Sequence, residues 1–116
     1  MGIERKQVNK RMSQIVTNGG VVYLAGQVAL DAPGASVAEQ TRGTLARIDA
    51  LLAEAGTDKS KLLSANVWLS DMATFDEMNA VWDAWVAEGN PPVRACVEAK
   101  LADPAYTVEI MVTAAA

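Results

Sequence analysis

SQIVTNGGVVYLAGQVAL, residues 13–30, is the stretch that decides the fold. Two β-rich runs flank Asn18-Gly19-Gly20, and glycine readily adopts the positive φ of a tight hairpin turn, so the stretch reads as two antiparallel strands. The second run, VVYLAGQVAL, is apolar at odd and even positions alike, as strands buried on both faces are. NVWL (66–69) and IMVTAAA (110–116) carry the same signature.

Outward from the hairpin, Ser36-Val37-Ala38-Glu39 is a capping box, and Val37, Thr41, Leu45, Ile48, Leu52 and Ala55 follow at helical spacing until Gly56. KLLSANVWLS, residues 61–70, reads as a strand. Thr74-Phe75-Asp76-Glu77 caps a second helix whose stripe is Phe75, Met78, Trp82 and Trp85, ending at Gly89. Trp82 and Trp85 are core beneath that helix, the other role open to them being the wall of a ligand pocket. Two strands follow, around 93–101 and 106–113. The order β-hairpin, α, β, α, β, β predicts an α+β layer in which two helices cover one sheet face. A chain of 116 residues has nothing left for the other face, so a second copy is expected there and the protein reads as a homo-oligomer.

Composition excludes several functions. The chain is a single domain, 1–116, and 51% hydrophobic with 21% charged residues is the balance of a soluble globular protein. Its longest apolar runs fall far short of the ~20 residues that cross a bilayer. MGIERKQVNKRM has no apolar signal core, so a cytoplasmic location is expected and no membrane partner. A net charge of −4 repels phosphate backbones, so no nucleic-acid partner is expected. The one basic cluster, Arg5, Lys6, Lys10 and Arg11, reads as a solvated terminal segment. With one cysteine and no histidine there is no intrachain disulfide, Cys-His or Ser-His pair, or usual zinc site. Cys96 reads as a packed, inert thiol.

In NPPVRACVEA (90–99), alternation puts Arg94, Cys96 and Glu98 on the face opposite Val93, Ala95, Val97 and Ala99. Arg94 is expected on the sheet face that the helices leave open, where polar residues are few, so its guanidinium needs a partner. Glu109, in TVEIMV, is the candidate. The two form an ion pair within the sheet or at a subunit interface, or Arg94's planar fork grips a substrate carboxylate while Glu109 handles a water. Composition leaves both open.

LAGQVA (24–29), PPVRACVEA (91–99) and YTVEIMV (106–112), with Arg94 and Glu109 fifteen positions apart, give the chain a resemblance to the Rid (RidA/YjgF) family of reactive intermediate deaminases. It runs from about Ser13 onward, and NAVWDAWVAEGNPPVRACVEAKLADPAYTVEI looks especially like the YoaB-like branch. The resemblance implies a chorismate-mutase-like fold with a mixed sheet, two helices on one face, and a last pair of strands that is not a simple hairpin. It also implies a homotrimeric barrel with ligand clefts between neighbouring subunits. The arginine matching Arg94 binds the carboxylate of a 2-imino acid, and the glutamate matching Glu109 is assigned to the attacking water. Backbone groups near Gly26 and Cys96 frame the ligand. The implied substrates are enamines and imines such as 2-aminoacrylate and 2-iminopropionate, released by PLP enzymes, which they can inactivate. Hydrolysis gives a 2-keto acid and ammonia, with no cofactor and no metal. That role would be metabolite damage control. Where well-known members read GPYSQ, this chain has Lys10-Arg11-Met12-Ser13-Gln14, so Met12 replaces a tyrosine that the YoaB-like branch also lacks; Ala25 replaces a serine. The rival reading is a non-catalytic protein binding small keto or imino acids. A third, ribonuclease or translation-inhibitor activity as in some relatives, has the acidic balance and the missing histidine against it.

Overall fold

A computed structural model describes residues 2–116. Six strands and two helices follow in order: β1 (Glu4–Val8), β2 (Ser13–Asn18), β3 (Val21–Leu24), α1 (Val37–Glu54), β4 (Leu62–Leu69), α2 (Phe75–Trp85), β5 (Val93–Glu98) and β6 (Val108–Ala115). They make one sheet in the order β1-β2-β3-β6-β4-β5, antiparallel at every step except β4 with β5. Parallel neighbours need a crossover, and α2 is that crossover. β5 and β6 are therefore separated by β4, as the resemblance implies. No helix among the described residues is long and apolar enough to cross a membrane.

The hairpin forms as read, with Gly19 and Gly20 at φ of +60° and +82°. α1 starts where its capping box predicts, the Ser36 hydroxyl accepting from the Glu39 amide at 3.2 Å. α2 does not. Thr74 makes no side-chain cap; its hydroxyl donates back to the Asp71 carbonyl at 2.6 Å, and Asp71 instead caps a 3-10 turn over Met72–Thr74 that leads into the helix. The helix also stops at Trp85 rather than near Gly89, because Val86 turns extended with ψ 140°.

The last strands differ from expectation as well, since β5 ends at Glu98 and β6 spans 108–115. The segment between them is drawn off the ladder by Gln40 of α1, which is fully buried. Its amide nitrogen donates to the Ala105 carbonyl at 2.9 Å and its oxygen accepts from the Thr107 amide at 2.9 Å. A buried amide satisfied on both ends ties loop to helix.

In the N-terminal cluster Arg5, Lys10 and Arg11 are exposed, as read, but the segment is ordered and Lys6 is engaged. Glu4–Val8 is an edge strand on β2, and Lys6 sits opposite the buried Ile15, on the helix side. Its ammonium donates to the Glu54 carbonyl at 3.0 Å, and the Gln7 amide donates to the Glu54 carboxylate at 2.8 Å. α1 has no basic residue in its last turn. β1 thus supplies the cation that the negative end of the helix dipole lacks.

The core lies between sheet and helices. Ile15, Val22, Leu24, Val67, Leu69, Ile110 and Val112 meet Leu45, Ile48, Leu52 and Met78 there. On the other face Tyr23 is 43% exposed, Met111 39%, Val97 51% and Val93 73%. Strands that read as buried on both sides are buried on one within a single chain.

Light scattering at micromolar concentration should report about 37 kDa, three times the 12.3 kDa chain, and a stable monomer would refute the expected trimer. Gln40→Leu strands the Thr107 amide and the Ala105 carbonyl, and should cost about 1–3 kcal/mol in urea unfolding at matched protein concentration.

Candidate functional site

Arg94 stands opposite Ala65 in the parallel β4–β5 register, and Ala65 faces the core. Its side chain therefore leaves the sheet on the helix side. There its Nη1 donates to the Asn79 Oδ1 of α2 at 2.8 Å. The guanidinium carbon lies 5.2 Å from the centre of the Trp82 ring and 5.9 Å from that of Phe75, within cation–π range of both. Cys96, opposite Val67, follows on the same side, half-buried against the core. Burial pushes its thiol pKa up, more than the neighbouring Arg94 charge draws it down. The Glu98 carboxylate accepts from the Met72 amide at 2.9 Å.

Glu109 stands opposite Trp68 and alternates with the buried Ile110, so it occupies the other face of the sheet. The expectation that Arg94 and Glu109 share the open face is corrected here. The alternation in β5 is as read, but its polar side turns toward α2 and its valines face outward. Among the described residues the only ion pair is Lys6 with Glu4, at 3.9 Å. Within one chain Arg94 and Glu109 form no pair.

Glu109 keeps company with Gly26. A Cβ at Gly26 would run into the Glu109 carboxylate, so the missing side chain lets the acid lie against the backbone. Gln27 fixes that approach. Its backbone exchanges hydrogen bonds with Ile110 at 2.9 and 3.0 Å, and its side chain, 3% exposed, donates to Gln14 at 2.7 Å and accepts from Arg47 at 3.2 Å. Met12 closes the β1–β2 turn, its amide bonded to the Asn9 side chain at 2.9 Å and its thioether half-exposed. Two residues on, Gln14 accepts from the Ala25 amide, which places Met12 along the strands that lead to Gly26. β5 lies four strands away from β2, roughly 19 Å at the usual strand spacing.

The site residues thus form two groups. Arg94 and Cys96 lie at one edge of the sheet on its helix side; Glu109 and Gly26 lie at β6 in its middle, with Glu109 on the open face, and Met12 lies toward the other edge. The groove of about 520 Å³ between α1 and α2 is lined by Ala38, Leu45, Ala84 and Trp85, and includes none of the five. Trp82 is core, 6% exposed, while Trp85 lines that groove with its indole N–H on Asp49 at 3.0 Å. Among the described residues no group of acidic, cysteine or histidine side chains could hold a metal ion. Asn79 and Gln27 escaped the sequence reading. Asn79's position four residues after Phe75 and three before Trp82 was the available signal.

Two helices on one side of a mixed sheet, with an arginine and a glutamate turned to opposite faces, define an α+β domain of the chorismate-mutase-like class. The chain belongs to the Rid/YjgF family, YoaB-like members included: the family model described as Endoribonuclease L-PSP matches residues 3–116. A RutC family protein of Haemophilus ducreyi is 46% identical over 97% of this chain and 96% of its own. The RutC family protein YoaB of Escherichia coli is 43% identical over 99% of both chains. Among solved structures, a member of the YjgF protein family from Neisseria meningitidis superposes with a TM-score of 0.92 at 47% identity, covering 99% of this chain and 95% of that one.

Because burial raises the thiol pKa and lowers the thiolate fraction, Cys96 should react with a disulfide reagent at pH 8 more slowly than free cysteine. Reaction faster than free cysteine would show an activated nucleophile instead.

Proposed function

We propose that the protein hydrolyses reactive 2-imino acids and their enamine tautomers, of the 2-iminopropionate and 2-aminoacrylate type, to 2-keto acids and ammonia. The sites are formed between subunits of a homotrimer. Arg94 of one subunit anchors the substrate carboxylate, and Glu109 beside Gly26 of its neighbour handles the water. One observation carries this reading. Arg94 is held by an amide and two aromatic rings and, among the described residues, meets no carboxylate, so its charge stays available to an anionic ligand.

Opposite faces favour a two-subunit site. Among the described residues β5 pairs only with β4, so its outer edge carries free backbone groups, and Val93 and Val97 beside them are exposed. A neighbour seated there can bring Glu109 and Gly26 to the cleft, with Cys96 backbone groups framing the ligand.

An iminium carbon is already electrophilic, so catalysis needs orientation and a proton acceptor. With the carboxylate held by the Arg94 fork, water adds to C2 as Glu109 takes its proton. The carbinolamine then collapses: its C–N bond breaks as the nitrogen is protonated, the hydroxyl proton departs, and ammonia leaves a 2-keto acid. An enamine enters by protonation at C3. Met12 offers a thioether that cannot donate a proton, so this part of the cleft selects by shape rather than by hydrogen bonding. The same replacement favours the binding-only alternative, and a trapping assay separates the two.

With 2-aminoacrylate generated by a PLP lyase, the protein should suppress semicarbazone trapping; unchanged trapping together with 2-keto acid binding would establish a binder. Arg94→Ala should lower activity at limiting substrate at least ~100-fold, since each charge-assisted contact is worth roughly 1.5–3 kcal/mol. Arg94→Lys should stay impaired, because it keeps the charge and loses the fork. Arg94→Ala and Glu109→Gln subunits, each inactive alone, should regain activity when unfolded together and refolded as mixed oligomers. No regain would place both groups in one subunit.

A further inference from the structure

We infer that Asn79 is the positioning residue for Arg94: the α2 face made by Phe75, Asn79 and Trp82 fixes the guanidinium in one orientation without neutralising it. The inference rests on the reading of Arg94 as a carboxylate anchor and goes beyond it, because nothing in that reading assigns a role to α2.

Residues 75, 79 and 82 are four and three apart, so they share one helical face. That face looks onto the sheet. Trp82 is 6% exposed and Phe75 packs against the core, so an amide between them needs a polar partner, and it has one in Arg94 at 2.8 Å. A guanidinium can only donate, which requires Asn79 to present its oxygen. The two rings, 5.2 and 5.9 Å away, favour the positive charge at the same place. Among the described residues this is the one side-chain hydrogen bond Arg94 makes, which leaves the rest of its five N–H donors for a ligand. A long side chain on an edge strand otherwise samples many rotamers, and gripping a carboxylate with the fork selects few of them.

The chemistry of the choice is specific. α2 carries Asp76, Glu77 and Asp83, all exposed, yet the residue facing Arg94 is a neutral amide. A carboxylate there would hold the guanidinium more tightly and compete with the substrate for its charge. An amide holds without competing.

The test uses 2-oxobutanoate, an unreactive acid of the proposed product class, with the whole oligomer, and reads the dissociation constant and the melting temperature. Asn79→Ala should weaken binding about tenfold, a loss falling on KM more than on kcat in the trapping assay, with the melting temperature little changed. Asn79→Asp should weaken binding further than Asn79→Ala at neutral pH while leaving the fold as stable as the wild type or more so. A purely structural amide gives the reverse, in which affinity falls only as far as the melting temperature does. Wild-type affinity in both variants, or tighter binding by Asn79→Asp than by Asn79→Ala, overturns the inference while Arg94-dependent binding leaves the anchor reading standing. Binding that survives Arg94→Lys unchanged overturns both.

Discussion

Two helices cannot cover two faces of a six-stranded sheet, and most of this molecule follows from that shortage. α1 and α2 lie on one side, so the chain's deepest burial is there, in Val22, Ile48, Leu52, Ile110 and their neighbours. The strands nonetheless carry apolar residues outward, in Tyr23, Met111, Val93 and Val97. Surface of that kind is stable only against something equally apolar, and an identical surface on another copy is the simplest match.

The same one-sidedness decides what chemistry a single chain can do. Successive strand residues point to opposite faces, so the odd separation between faces is built into the register before any tertiary contact forms. Arg94 shares its side with Ala65, and Glu109 shares its side with Trp68. No rotamer change in either residue carries it through a sheet. Any convergence of the two groups therefore requires a second copy of the chain, and the proposed reaction depends on such an assembly.

Local signals in the sequence were legible wherever one residue type has one conformational reason. Gly19 and Gly20 marked the hairpin, and Ser36 with Glu39 marked the start of α1. Glu4–Val8 was not, because an edge strand needs only one partner and ERKQV has no apolar alternation. Thr74 misled because Asp71, three residues earlier, captured its hydroxyl and began the turn sooner. The alternation in β5 was read correctly and assigned to the wrong side. Its valines suggested the core, but an edge strand under a short helix can place a charged and a sulfur-bearing residue inward, with aromatic rings and Asn79 to satisfy the charge. Nothing in one sequence distinguishes those sides, since apolar residues line both faces of the sheet, one packed under the helices and the other exposed within a single chain. The candidate pair itself was legible through the family resemblance, and the amide that holds Arg94 was not, because a lone asparagine in a helix has many uses.

The strand order has a consequence for biosynthesis. β6 is made after every other strand and lies between β3 and β4, in the middle of the sheet. Until residues 108–115 leave the ribosome, the β1–β3 meander and the β4–α2–β5 unit have no backbone ladder in common, and each shows a raw inner edge. Local hairpins form early because their loops are short, but the closing pairing spans nearly the whole chain and is slow for that reason. The nascent polypeptide is thus most adhesive just before β6 emerges, when β3 and β4 both await the same strand, and chaperone occupancy should concentrate in that interval.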